Sequence, residues 1–400
     1  MTASPDFPVH LIRADLRAFA GYSSARTSHA GPAARIWLNA NEAAEPNRAD
    51  THGTARRYPS PQPQALRQAF ADYLGVDAAG LLLARGSDEA IDTLVRTVCG
   101  PGGEEGVVLC PPTFGMYAVS ATVHGVPVHE VSQVDTGHRF DHDLGRVSET
   151  VRRTGARVVF LASPGNPTGS TVPREDLDQL LGDLAGRAVV VLDEAYAEFA
   201  RPAPTSPGAP AAGSGAVPSA ADLSRHPHLA VLRTMSKAHG LAGARVGALV
   251  AHPELVDVLR RVQAPYPLAT PAVDLALAAL THQALRDTAA RVQSTKRRRD
   301  RLADVLSRHP DVSTVYDSEA NFVLVRCSGP DAVLNRLREA GIAVRDMRHL
   351  PGLADALRVS VGTGEEIEFL AEALSPVSGA RGRTLTDHPS PPALTEESPP

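Results

Sequence analysis

The sequence predicts an α/β fold: a large domain on a mostly parallel seven-stranded sheet between helices, then a smaller α/β C-terminal domain. Three observations carry this reading. Short β-branched runs alternate with segments of helical apolar spacing through the middle of the chain. Strands separated by helices need crossover connections, which make a parallel sheet and cover both its faces. A renewed mixture of strand and helix patterns after residue 310 sets off the second domain.

In chain order, the strand runs of the large domain are 81–83, 107–110, 126–131, 157–162, 188–193, 229–234 and 246–250. Helical spacing marks 87–99, 114–124, 143–154 and 174–185 between them. Residues 270–309 read as one or two long helices, and the basic run Lys296-Arg297-Arg298-Arg299 as a solvated helix face rather than a nucleic-acid contact. Strands at 312–316 and 321–326, a helix at 331–340, strands at 342–345 and 356–361 and a helix at 365–374 complete the pattern. The expected organisation is residues 1–49 as an N-terminal arm and part of the small domain, 50–265 as the large domain, 266–377 as interdomain helix and small C-terminal domain, and 378–400 as a disordered tail. The stretch 201–221 is rich in Pro, Ala, Gly and Ser and reads as a surface loop. The tail is rich in Pro, Ser and Thr, with little to bury.

Composition narrows the function classes. A net charge of −5 over 400 residues gives no global field for nucleic acid or anionic membrane. Cys99, Cys110 and Cys327 are odd in number and widely spaced, which offers no disulfide framework or metal knuckle and fits a reducing cytoplasm. The first twenty residues mix acidic and basic side chains and lack a signal-peptide core; no stretch has the uncharged apolar length of a membrane span. His138 and His142 have no third partner for a metal, so no metal site is expected. No P-loop, dinucleotide glycine fingerprint or GxSxG elbow occurs.

The chemistry concentrates around Lys237, in Arg233-Thr234-Met235-Ser236-Lys237-Ala238-His239-Gly240-Leu241-Ala242-Gly243-Ala244-Arg245. Upstream, Asp193 ends an apolar strand run, Tyr196 follows three residues later, and Asn166 sits in a Pro-Gly-Asn-Pro-Thr-Gly turn after another such run. Ligand groups in open α/β sheets lie at the carboxyl ends of strands. An amine, a carboxylate, a phenol, an amide and an arginine placed there could hold pyridoxal phosphate (PLP). Lys237 would take the aldehyde, Asp193 would pair with the pyridinium nitrogen, and Tyr196 and Asn166 would donate to the phenolate oxygen. Each has a plain alternative: a surface lysine, a helix N-cap aspartate, an ordinary turn. Ser87-Asp88-Glu89 opens a helix after a strand and a glycine, which makes either an N-cap or an anion site; Ser236 and Arg245 would complete the latter. Phe114 either stacks on the cofactor ring or belongs to the core. Arg358 lies inside a strand pattern, and needs an anionic partner if buried or water if on an edge.

With these residues in place, the chain resembles the fold-type-I, class-II PLP-dependent aminotransferases, and within them most closely the histidinol-phosphate aminotransferase family, from about Ile12 to Leu374. The selective motifs are Trp37-Leu38-Asn39-Ala40-Asn41-Glu42, Arg57-Tyr58-Pro59-Ser60-Pro61-Gln62-Pro63, Arg85-Gly86-Ser87-Asp88-Glu89, Cys110-Pro111-Pro112-Thr113-Phe114-Gly115-Met116-Tyr117 and Leu357-Arg358-Val359-Ser360-Val361-Gly362-Thr363. The resemblance implies transamination between histidinol phosphate (or imidazole-acetol phosphate) and glutamate (or 2-oxoglutarate) in histidine biosynthesis. It also implies a homodimer in which Tyr58 reaches the neighbouring subunit's cofactor phosphate. Tyr22 would cover the substrate, Asn41 would bind it, and Arg358 with Arg345 would take its anionic group. Phe114 stands where relatives often have tyrosine, His239 where they often have an aromatic, and Gly165 where Asn is common. The competing readings are an aromatic amino-acid aminotransferase, a lyase of the threonine-phosphate decarboxylase type, and a non-catalytic regulator on the same fold. The last would need a DNA-binding domain larger than the residues before Trp37 can form.

Overall fold

The computed structural model describes residues 5–23, 34, 36–103, 105–201 and 220–375. Residues 202–219 of the expected loop, and the expected tail at 378–400, lie outside the described residues. After a short helix α1 (Ala14–Arg17), the large layer is built from α2 (Gln64–Leu74), β1 (Leu81–Ala84), α3 (Gly86–Val98), β2 (Val107–Leu109), α4 (Met116–Val123) and β3 (Val128–Glu130). A hairpin of β4 (Val134–Asp135) and β5 (Phe140–Asp141) follows, where the sequence suggested only loop around His138. Then come α5 (Leu144–Thr154), β6 (Val158–Ala162), α6 (Arg174–Asp183), β7 (Val189–Asp193), α7 (Ala220–Arg225), β8 (Leu229–Thr234), β9 (Gly247–Val250) and α8 (Pro253–Val262).

The seven strands run in the order β1-β9-β8-β7-β6-β2-β3. All neighbours are parallel except β9, which is antiparallel to both β8 and β1. No long helix separates β8 from β9, so the chain turns back along its own edge instead of crossing over. β1 therefore runs with β8, and the carboxyl ends of β1, β2, β6, β7 and β8 share one edge of the sheet.

The strand runs are apolar at successive positions because both faces are covered. Val190 and Leu192 face a core shared with Phe70 of α2, Val151 of α5 and Leu180 of α6. Val189 and Val191 face the opposite core, with Leu94 of α3, Tyr117 of α4 and Leu259 of α8. Phe7, Leu11 and Ile12 belong to that second core, and the Arg13 amide donates to Thr97. This part of the N-terminal arm thus packs on the large sheet and does not complete the small domain, because its three apolar residues find their burial against α3 and α8.

The expected long-helix region splits into α9 (Thr270–Ala279) and α10 (His282–Ser307), the latter opened by the Thr281 hydroxyl as N-cap. The smaller layer holds β10 (Val312–Val315), β11 (Phe322–Cys327), α11 (Pro330–Glu339), β12 (Arg345–Asp346), β13 (Ala356–Ser360) and α12 (Gly364–Leu374). Its antiparallel sheet runs β10-β11-β13-β12 and packs on α10, α11 and α12 through Leu302, Leu337, Val359 and Leu370. The strand expected at 342–345 is only the two residues Arg345–Asp346. The basic run on α10 is not wholly solvated: Arg299 is buried and donates to the carbonyls of Phe199 and Ala320. A guanidinium can satisfy several carbonyls at once, which a sequence pattern does not reveal. Among the described residues no helix is long and apolar enough to cross a membrane.

Candidate active site

A cavity of about 540 Å³ opens at the shared carboxyl edge. Ser87 follows β1, Phe114 follows β2 and Asn166 follows β6; Asp193 ends β7, with Tyr196 beyond it, and Ser236 and Lys237 follow β8. Arg245 enters from just before β9, the strand that starts at this edge. Arg345 and Arg358, from β12 and β13, close the far wall. Eleven expected residues from six strand ends and a second sheet therefore face one space.

Lys237 has the properties an amine nucleophile needs. Its ammonium is disfavoured first by burial and then by the positive charge of Arg358. Its Nζ lies 5.6 Å from the centre of the Tyr196 ring. The chain has one other lysine, Lys296, whose amine donates to the Ala200 carbonyl at 2.6 Å. Asp193 is 5% exposed, and its carboxyl is held above the usual range chiefly by burial. Tyr117 donates to Asp193 Oδ2 at 2.7 Å and the Ala195 amide to Oδ1 at 3.0 Å, so the carboxylate is fixed in place. No ion pair among the described residues neutralises it. Burial pushes the Tyr196 phenol up to about 12, which keeps it a proton donor at neutral pH.

At one end the first turn of α3 offers unpaired backbone N–H groups and the positive end of the helix dipole. Arg245 reaches across it, donating to Asp88 at 2.9 Å and to the Ser236 hydroxyl at 3.4 Å. Arg245 adopts a left-handed backbone with φ 52°, an uncommon conformation for a side chain of its size. Gly86 makes room for it: at φ 73°, a β-carbon on Gly86 would stand 2.8 Å from Arg245 Nη2. At the other end Arg345 and Arg358 are directly opposite each other across β12 and β13. Like charges in that register repel. Arg358 donates to Asn166 Oδ1 and lies 5.1 Å over the Phe322 ring, but its buried Nε has no partner. Two guanidinium groups thus converge on one wall of the cavity, a geometry that can receive an anion.

Four expected residues are elsewhere. Glu89 turns away from the cavity and accepts from the Arg85 amide at 2.7 Å, because a glutamate in the first turn of a helix readily caps the residue before it. Tyr58 is half-exposed and stacks on Tyr266 at 4.8 Å, Tyr22 is 69% exposed, and Asn41 adopts φ 55°; none of the three lines the cavity of its own chain. Conversely, sequence reasoning gave no role to Tyr117, which anchors Asp193, or to His349, which lines the cavity beside Arg345. It also passed over Arg233, whose buried guanidinium binds Glu194 at 2.9 Å and Glu198 at 2.5 Å. An arginine inside the β8 pattern and two glutamates four apart after β7 were the available signal.

The residues present fit a PLP-sized group on grounds internal to this structure. Burial disfavours the Lys237 ammonium, no ion pair among the described residues neutralises the buried Asp193, the helix start and Arg245 form an anion cradle, and Phe114 presents an apolar wall. Such a sheet with such an edge defines a class, and comparison bears it out: the model of the aminotransferase class I and II family matches residues 26–374. The chain belongs to that family. Within it the chain is similar to histidinol-phosphate aminotransferases. That of Stenotrophomonas maltophilia is 47% identical over 94% of this chain and 98% of its own length, and that of Xylella fastidiosa is 48% identical over 89% and 93%. A solved histidinol-phosphate aminotransferase from Sinorhizobium meliloti, in complex with pyridoxal-5'-phosphate, aligns with TM-score 0.69 and 28% identity over 84% of this chain and 88% of its own. The L-threonine-O-3-phosphate decarboxylase of Porphyromonas gingivalis, at 22% identity and TM-score 0.67, shares the fold.

Proposed function

We propose that this chain transfers an amino group between glutamate and imidazole-acetol phosphate, giving 2-oxoglutarate and histidinol phosphate, with PLP as its cofactor. The observation that carries the reading is that one cavity joins two clusters of ionisable groups. A poised amine and an unneutralised carboxylate lie at the sheet edge, and two mutually repelling arginines lie opposite them. The close kinship with histidinol-phosphate aminotransferases supports the choice of substrate.

PLP, when bound, supplies an aldehyde that takes amines covalently and a ring that accepts an electron pair. Lys237 would hold it through Nζ, and the same Nζ, when free, would move the proton at the substrate α-carbon. Asp193, clamped by Tyr117, supplies the negative charge that keeps a ring nitrogen protonated. Tyr196 and the Asn166 amide orient the phenolate oxygen, and Phe114 covers the ring. Ser87, Asp88 (through its amide), Ser236 and Arg245 hold the cofactor phosphate. Arg358 and Arg345 bind the substrate's phosphate, or the carboxylate of glutamate in the other half-reaction; bidentate Arg geometry serves both.

Tyr58, Tyr22 and Asn41 lie outside the cavity of their own chain, and we assign them to the site across a homodimer interface, Tyr58 on the partner's cofactor phosphate. The exposed Tyr22, Ile36, Leu38 and Tyr58 support such an interface. The three free cysteines support a cytoplasmic location. The test is a substrate panel with 2-oxoglutarate as acceptor. Histidinol phosphate should exceed phenylalanine and tyrosine in kcat/KM by at least about 100-fold, the worth of one pair of charged hydrogen bonds. Equal rates, or carbon dioxide release instead of glutamate formation, would overturn the assignment.

A further inference from the structure

Behind the cavity lies a buried polar cluster that the reaction described above does not use. Glu194 and Glu198 flank Tyr196, two residues to either side. Arg233 of β8, 4% exposed, donates from Nη1 to Glu194 Oε2 at 2.9 Å and from Nη2 to Glu198 Oε1 at 2.5 Å. Tyr73 of α2 donates to the same Glu198 oxygen at 3.1 Å, and His239 meets the Tyr73 ring edge-on at 5.3 Å. Two buried carboxylates thus share one guanidinium, and Glu194 is pushed upward by burial, against the pull of Arg233. Such a cluster is costly unless its geometry serves something. What it holds is a turn: the amides of Ala197, Phe199 and Ala200 donate to Glu194, Tyr196 and Ala197 in a single tight 3-10 segment.

We infer that Arg233 is a positioning residue for the reaction: by gripping Glu194 and Glu198 on both sides of Tyr196, it fixes the turn that aims the Tyr196 phenol into the cavity. The inference rests on the reading of Tyr196 as a donor to the cofactor's phenolate oxygen. Arg233 is suited to the task because a guanidinium presents two directed edges, whereas an ammonium is a point charge that cannot hold two carboxylates at fixed angles. On its other side the turn meets the Phe322 ring, edge-on to Tyr196 at 5.2 Å, and α10, whose Arg299 and Lys296 donate to the Phe199 and Ala200 carbonyls beyond the phenol. Those two cations hold the turn only after Tyr196, whereas the fork of Arg233 grips the side chains on both flanks of it and so sets where the hydroxyl points.

The test compares wild type, Arg233→Lys and Glu198→Gln, each alone and combined with Tyr196→Phe. In the PLP-loaded enzyme the readout is the pH midpoint of the visible absorbance of the lysine-linked cofactor. A phenol donating to the phenolate oxygen favours the unprotonated linkage, so its loss moves the midpoint up, by about one pH unit for one hydrogen bond to a charged group. Arg233→Lys and Glu198→Gln should each raise the midpoint, and neither should raise it further in the Tyr196→Phe background. No shift in the single variants, or the same shift in both backgrounds, overturns the inference, because the cluster would then act as mere charge or mere scaffold.

The second readout needs no cofactor. Hydrogen exchange at the Ala197, Phe199 and Ala200 amides of the cofactor-free protein should quicken about tenfold in both variants. Unchanged exchange overturns the clamp. Should Arg233→Lys fail to fold, Glu198→Gln, which keeps an acceptor oxygen for Arg233 and Tyr73, carries both readouts. If Tyr196→Phe alone leaves the midpoint unmoved, the donor reading of Tyr196 has failed, and the exchange data still judge the clamp separately.

Discussion

Arg358→Met makes two predictions of opposite sign. In the loaded enzyme Arg358 can give two charge-assisted hydrogen bonds to a phosphate, each worth about 1.5–3 kcal/mol. Losing both costs roughly 3–5 kcal/mol, or two to four powers of ten in kcat/KM for histidinol phosphate. In the ligand-free protein the same side chain is a burden. It stands opposite Arg345, a like-charge pair costing about 0.2–1 kcal/mol. Its buried Nε, without a partner, costs about 1–3 kcal/mol more. Against this stand one bond to Asn166 and the contact with Phe322, together about 1–2 kcal/mol. The balance favours methionine by about 1 kcal/mol, a rise in Tm of about 1–2 °C for a protein of this size. Steady-state kinetics and thermal unfolding of cofactor-free protein measure the two halves. A Tm that falls by several degrees while kcat/KM stays within about threefold would show that Arg358 serves the fold and not the substrate.

Two further outcomes follow from the site. The Asp193 carboxyl is held above its unfolded value of 3.8, mainly by burial, so in cofactor-free protein the folded state binds the extra proton and stability declines as pH rises through that window. Asp193→Asn removes this decline: variant minus wild-type Tm should grow more positive as pH rises above the unfolded carboxyl range, and a constant difference would contradict the argument. Gly86→Ala places a β-carbon 2.8 Å from Arg245 Nη2 at a backbone φ of 73°. It should weaken PLP affinity about tenfold by spectroscopic titration, as one displaced phosphate contact would, and unchanged affinity would remove Arg245 from the phosphate cradle.

The legible parts of this chain were those fixed by local pattern. Both faces of the sheet are covered, so strands such as Val189–Asp193 are apolar until the Asp193 that ends them at the ligand edge. That made Asp193, Asn166 and Lys237 readable as edge residues. What escaped depends on contacts distant in sequence. Tyr117 looks like any core aromatic on a helix until Asp193, 76 residues away, meets its hydroxyl. Arg233 drew no reading and Arg299 read as part of a solvated basic face, yet each is buried among acceptors that arrive from other elements. Glu89 was grouped with its neighbours Ser87 and Asp88, but the helical turn rotates it off the cavity and back to Arg85. The N-terminal arm gave no periodic signal from which its packing against α3 and α8 could be read.

The central claim is that one ε-amine carries the cofactor, and the composition makes this unusually direct to test. Two lysines occur in the chain, and Lys296 is engaged with the Ala200 carbonyl. Borohydride reduction of the PLP-loaded protein, followed by peptide mass mapping, should place a single pyridoxyl label on Lys237. A label on Lys296 or on the terminal amine, with Lys237 unmodified, would contradict the account.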